Sequence, residues 1–205
     1  MITLFLAGNL TSNFTDVQND RILRNVERLA EFSRVIVLSS TQTNHVSGTE
    51  QITFCHIKSL TSGALATAAF GLSYLPENHP FLVVPSNAEI LGAHIDQFQK
   101  EMIRMESKVG AIVFKGDDPQ YSYARIGVSD EIIEVVEKSV SGSCALAGVY
   151  FFADKSMFYD CIEWAMVNNV HNNGQFYISP ALNYFLAKSI RISLYQIPSG
   201  DYLRY

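Results

Sequence analysis

Short apolar runs rich in β-branched residues alternate along this chain with segments whose apolar residues recur three and four positions apart, and this alternation most narrows the fold. A strand buried on both faces reads as a continuous apolar run, whereas the helix that covers it shows a one-sided stripe. Ile2–Leu6 is the first such run and ends at Ala7-Gly8. From Arg21 to Phe32, Ile22, Val26 and Leu29 fall at helical spacing with Asp20 at the N-cap, and Arg34–Leu38 is a second β-branched run. These three segments make one β-α-β unit. Gln51–His56 reads as a third strand, Gly63–Tyr74 as an alanine-rich helix closed by Pro76, and Phe81–Val84 as a fourth strand stopped at Pro85-Ser86-Asn87. The C-terminal end of a strand in an open α/β sheet is where ligands bind. His94–Met105 follows as a helix, Val109–Phe114 as a central strand, and Tyr121–Val128 with Ile132–Lys138 as a hairpin across Ser129-Asp130. Gly148–Phe152 is a further strand, Lys155–Val167 and Pro180–Lys188 are helices, and Ile190–Ile197 is the last strand before Pro198-Ser199-Gly200-Asp201. The pattern predicts one α/β domain over residues 1–205, with no repeat, no low-complexity tract and no linker. Thr41–Glu50 reads as a surface loop.

Composition removes several function classes. With 48% hydrophobic and 17% charged residues, the chain has the apolar content for a substantial core and too little charge for a disordered protein. Its formal charge is −5 and its 15 Lys and Arg are scattered, which predicts no nucleic-acid partner. The longest apolar stretches, Val109–Phe114 and Ala145–Phe152, fall far short of the ~20 residues that cross a bilayer, so no membrane insertion is expected. No basic region precedes an apolar one at Met1, and a cytoplasmic location is expected. Cys55, Cys144 and Cys161 are widely spaced among apolar neighbours and read as buried free thiols. His45, His56, His79, His94 and His171 lack metal-ligand spacing, and no zinc site is assigned.

Three blocks, taken together, resemble the sugar-phosphate nucleotidyltransferases of GT-A-like fold, especially the short versions found among capsule and surface-polysaccharide genes. The first is Leu60-Thr61-Ser62-Gly63-Ala64-Leu65-Ala66-Thr67-Ala68, similar to the segment whose glycine lets a nucleobase lie against the backbone. The second is Tyr121-Ser122-Tyr123-Ala124-Arg125 with Ile133-Glu134-Val135-Val136-Glu137-Lys138, similar to the strand pair whose Glu-Lys holds the sugar and its phosphate. The third is Ala147-Gly148-Val149-Tyr150-Phe151-Phe152 with Gly174-Gln175-Phe176-Tyr177-Ile178-Ser179-Pro180-Ala181-Leu182-Asn183, similar to the walls of the sugar pocket. With Phe81–Asn87 they span about two thirds of the chain, Ser59–Lys188. The resemblance implies a Rossmann-like (GT-A-like), mixed but mostly parallel sheet flanked by helices, with a small antiparallel hairpin. It implies substrate contacts at Gly8, Gly63, Asn87, Glu137, Lys138, Gly148 and Gln175. The implied reaction is attack of a sugar-1-phosphate oxygen on the α-phosphorus of a nucleoside triphosphate, with pyrophosphate leaving. Highly charged oxygens are neutralised there by a glycine-rich loop, an Arg, a Lys and aspartate-bound Mg²⁺.

This sequence departs from that pattern where charge is handled. After the first strand the family reads Gly-x-Gly-x-x-Arg, whereas this chain reads Ala7-Gly8-Asn9-Leu10-Thr11-Ser12-Asn13-Phe14, keeping only Gly8. The downstream Pro-Lys segment has no counterpart, because no proline occurs before Pro76. The expected metal aspartate falls on Asn87, a neutral and weak donor for a hard dication. Glu89 and Asp201 are the remaining metal candidates, although Gly200-Asp201 reads rather as a simple turn. Gln175 stands where the resemblance expects a glutamate. Several alternatives remain open: Gly63 as the N-cap of an ordinary helix, Glu137-Lys138 as a solvated strand end, Gly148 as a packing glycine, and Arg125 as a phosphate partner or a surface ion pair. The expected function is that of a catalytically impaired relative binding a nucleotide, a sugar phosphate or a partner protein. The competing readings are an active transferase using Mg²⁺ with non-standard residues, and a dimerisation module in a homo-oligomer or with a hetero-partner. No catalytic residue is assigned.

Overall fold

A computed structural model describes residues 1–8, 16–40, 50–128, 131–140 and 142–204. In chain order the elements are β1 (Ile2–Gly8), α1 (Asp16–Ala30), β2 (Arg34–Ser39), β3 (Ile52–His56), α2 (Ala64–Gly71) and β4 (Phe81–Pro85). There follow β5 (Ala88–Ile90), α3 (His94–Arg104), β6 (Val109–Lys115), β7 (Ser122–Ile126), β8 (Ile132–Val136) and β9 (Cys144–Phe152). The chain finishes with α4 (Lys155–Val167), α5 (Ile178–Ala181), α6 (Asn183–Ala187), β10 (Ile192–Ile197) and β11 (Tyr202–Arg204). Single 3₁₀ turns lie at Leu72–Tyr74 and Ser199–Asp201.

The large sheet has the order β10-β6-β9-β4-β1-β2-β3, and β7 joins it along β9 while pairing with β8. β1, β2, β3 and β4 run parallel to their neighbours, as do β6 and β10; β9 runs antiparallel between β4 and β6. This is a mixed α/β architecture with a mostly parallel central sheet, helices on both faces and a small separate antiparallel pair, β5–β11. Strand alternation builds the two cores. On one face Leu4, Leu6, Val83, Ala111 and Val113 meet Leu65, Phe158, Cys161 and Phe185 from α2, α4 and α6. On the other, Phe5, Ala7, Leu82, Val84 and Ile112 meet Ile22, Val26, Leu29, Phe98 and Met102 from α1 and α3. Burial on both faces is why these strands read as unbroken apolar runs.

The structure moves some of the expected boundaries. α1 begins at Asp16, so Asp20 lies within the helix instead of capping it; residues 16–20 contain neither Gly nor Pro to stop helix growth. β9 starts upstream, at Cys144, where it continues along β6 past an irregularity opposite Ile112. The helix expected over Pro180–Lys188 is two short helices broken at Leu182. At that break Asn183 acts as a strand neighbour: its Oδ1 accepts from Val135 N at 2.9 Å and its Nδ2 donates to Val135 O at 2.8 Å. β5 and β11 are too short for sequence alternation to reveal. The Ser129-Asp130 turn and most of the Gly8–Phe14 segment lie outside the described residues, as does Thr41–Thr49.

Candidate active-site cleft

The C-terminal ends of β1 and β4, the bulged part of β9, the start of α5 and the hairpin β7–β8 enclose a cleft of about 250 Å³. Of the residues singled out from sequence, Asn87, Glu137, Lys138 and Gly148 line it together. Gly148 has φ +79°, and a Cβ there would lie 3.0 Å from Pro85 Cγ. A glycine therefore permits β9 to depart from regular pairing and approach the end of β4.

Glu137 sits just past β8, and the hairpin register fixes its surroundings. Tyr123 pairs with Val136, which brings Ser122 opposite Glu137. Ser122 Oγ and Ser179 Oγ both donate to Glu137 Oε2 and lie 3.0 Å apart. Burial, and then the Glu137 charge, push the Tyr150 phenol well above its ordinary range, so it stays neutral. Ser179 is delivered by α5, which Asn183 ties to β8. The result is a carboxylate anchored through one oxygen while its residue faces the cleft. Lys138, at φ +52°, turns its Nζ onto the Tyr177 hydroxyl at 3.0 Å, over the Tyr177 ring at 4.7 Å.

The opposite wall comes from the chain end. Tyr202 stacks on Phe114 with centroids 4.2 Å apart, and Tyr121 packs edge-on against both rings. Burial raises the Tyr202 phenol to about 12. Arg204 lies over Tyr121 at 5.6 Å and its NH1 donates to Gln120 O at 2.8 Å. Ser122, Tyr150, Tyr177, Ser179, Tyr202 and Arg204 thus join the cleft without having been singled out as site residues from sequence.

The other sequence candidates are not among the described lining of the cleft. Gly63 caps α2 at φ +113°, and its Cβ position is filled by the Phe176 backbone, although its neighbour Ala64 lines the cleft. Gly8 ends β1 at a register shift opposite Ser39, and the phosphate-loop positions 9–15 lie outside the described residues. Gln175 is exposed in the turn it closes with Asn172. Arg125 forms an exposed ion pair with Glu134 at 2.7 Å.

Neither metal candidate presents a set of hard oxygen donors suited to Mg²⁺. Glu89 Oε1 accepts from Arg28 at 3.3 Å, and Asp201 Oδ2 faces His94 Nε2 at 2.9 Å. No group of three His, Cys, Asp or Glu among the described residues is arranged to hold an ion. Among the described residues the acidic side chain that lines the cleft is Glu137, and its Oε2 is held by two serines. Residues 9–15 contain no carboxylate. The described residues do not fit the divalent cation that the family resemblance implies.

The fold is similar to that of a nucleoside-diphosphate-sugar pyrophosphorylase from Vibrio cholerae RC9, with a TM-score of 0.75 and 15% identity, over 100% of this chain and 95% of that one. It is likewise similar to a Bacillus anthracis protein assigned as a glucose-1-phosphate thymidylyltransferase, in complex with sucrose (TM-score 0.74, 15% identity, 96% of this chain and 87% of that one). A UDP-glucose pyrophosphorylase complexed with UDP-glucose gives a TM-score of 0.72 at 15% identity over 95% and 89% of the two chains. These likenesses establish the nucleotidyltransferase type of fold. No family model matches the chain, and no curated protein matches its sequence. No helix among the described residues is long and apolar enough to cross a membrane.

Proposed function

We propose that this chain binds a nucleotide sugar or a sugar phosphate in the cleft around Glu137 and is impaired in nucleotidyl transfer. On the resemblance of its sequence blocks we assign it to surface-polysaccharide (capsule) metabolism. The observation that carries the reading is the Glu137 carboxylate, fixed by Ser122 and Ser179 in a cleft that also holds Lys138. A carboxylate oriented in this way accepts hydrogen bonds from sugar hydroxyls, and the adjacent ammonium suits a phosphate. Sparse grips for a triphosphate and its metal support the impairment. Glu89 and Asp201 are engaged by Arg28 and His94, and Asn87 brings an amide where a carboxylate is needed. Loss of one preorganised charge-stabilising group typically lowers a rate by ~10²–10³.

Calorimetric titration of the folded chain with UDP-glucose, dTDP-glucose and glucose 1-phosphate tests the binding. Heat is expected with at least one of them, and Glu137→Gln should weaken that binding about tenfold, the loss of one charge-assisted acceptor. A folded sample silent toward all of them overturns the reading. Pyrophosphate release from nucleoside triphosphate and sugar phosphate with Mg²⁺, at more than trace rates, overturns the impairment.

A further inference from the structure

Charge in the cleft runs against charge on the chain. The sequence carries a net −5, and Arg28, Lys100, Arg104, Arg125 and Lys155 each face a carboxylate. Lys138 and Arg204 instead lean on neutral groups, a tyrosine hydroxyl and a main-chain carbonyl, and both line the cleft. Against them the described lining sets one carboxylate, Glu137. A cleft that presents more cation than anion in an acidic protein is built for an anionic ligand.

The position of Arg204 sharpens this. In the β5–β11 pair Arg204 lies directly across from Ala88, the residue after Asn87, so the backbone places Arg204 beside the C-terminal end of β4. Stacking on Tyr121 and the bond to Gln120 O hold its guanidinium plane, and a single donor is used in that bond. The remaining N–H groups form a fork that matches two phosphate oxygens and carries a permanent charge. A metal ion at that strand end would need carboxylates, which would themselves pair with a guanidinium. Asn87 there is a neutral amide and does not offset the Arg204 charge.

We propose that Arg204 is a phosphate-binding residue that gives this cleft cation-independent recognition of a diphosphate or phosphomonoester, with Lys138 as the second positive group. The inference rests on the reading of the cleft as a ligand site, and deepens it by naming how the phosphate is held without Mg²⁺.

Calorimetry of the full chain with inorganic pyrophosphate, in EDTA and again in excess Mg²⁺, is the test, with UDP-glucose as a second probe. Pyrophosphate should bind in EDTA, with an affinity that falls as salt rises. Arg204→Gln should weaken it about tenfold, whereas Arg204→Lys should recover part of the loss by keeping the charge without the fork. Arg204 is exposed, so its variants should fold, and unchanged circular dichroism and thermal midpoint confirm this. Arg104→Gln, in an exposed pair on α3, should bind as the parent does. Binding of pyrophosphate only with Mg²⁺, no binding in either buffer, or parental affinity in Arg204→Gln overturns the proposal. If UDP-glucose binds and Arg204→Gln leaves that binding intact, the cleft reading stands and the Arg204 assignment falls. If pyrophosphate binds through Arg204 while every sugar-bearing probe fails, the assignment stands and the sugar reading falls.

Discussion

Gly63 occupies a backbone region, φ +113°, that side-chain-bearing residues rarely enter, and a Cβ there would lie 2.7 Å from Phe176 N and nearer still to its carbonyl oxygen. The two segments are bonded on both sides of this contact, Phe176 N to Ser62 O at 2.7 Å and Leu65 N to Phe176 O at 3.0 Å. Gly63→Ala should therefore lose about 3 kcal/mol of stability, read from urea denaturation, whereas Gly200→Ala, with open space and no positive φ, should change it by less than about 0.5 kcal/mol. A loss equal to the Gly200 control would refute the packing role. In the sequence this position carried two readings, a glycine against which a nucleobase lies by family resemblance and the N-cap of an ordinary helix, and it does cap α2. That the approaching group is the chain's own backbone was not legible, because Phe176 lies far along the chain. Ser122 is a similar case. Its place opposite Glu137 follows from the hairpin register, but a one-residue irregularity between Arg125 and Ile126 shifts the pairing that counting back from the turn would give.

At the scale of elements, the least legible piece is the one that completes the cleft. β5 and β11 have three residues each, too few for a period-2 pattern, and they form a sheet of their own. What fixes them is tertiary. The 3₁₀ turn Ser199–Asp201 is tied to α3 by Asp201 Oδ2 on His94 Nε2 and to the end of β5 by Leu91 N on Asp201 O at 2.8 Å. His94 Nδ1 is buried without a partner, so Nε2 makes its side-chain hydrogen bond. Asp201→Asn replaces an ionic acceptor by a neutral amide at this junction. Amide hydrogen exchange at Ala88–Ile90 and Tyr202–Arg204 should then speed up several-fold while β1 and β4 keep parental protection. Uniform acceleration across the sheet, or no change at β11, would contradict the assignment of Asp201 as a latch for this pair. The long strands behave in the opposite way. β1, β2, β4 and β6 were readable as apolar runs because both their faces are covered.

Across the whole molecule, the β-α-β alternation made the layered class readable, while the strand order was not. Inserting β9 antiparallel between β4 and β6 depends on long-range pairing that no local period encodes. The two-faced core that results buries Cys161 and Tyr150 in their neutral forms, pushed strongly upward by desolvation, and partial burial in the cleft wall raises Tyr202 to about 12. In the unfolded chain a thiol ionises near about 8.5 and a phenol near about 10. Each folded pKa lies above its unfolded value, so the stabilisation from these groups is fully present below the unfolded pKa. It is lost as pH rises towards the folded one, with Cys161 contributing first and the two tyrosines next. For Tyr202 the window is roughly 10 to 12 and the loss is on the order of 2–3 kcal/mol. The urea midpoint should consequently fall steadily above about pH 9, and phenolate absorbance of the folded protein should lack the contribution of Tyr150 and Tyr202 until the chain unfolds. Tyr202→Phe removes one of these ionisations and should flatten the upper part of that decline. A midpoint that holds constant between about pH 8 and 11 would show that these side chains are reached by water in the native state, against the packing described for both faces of the sheet.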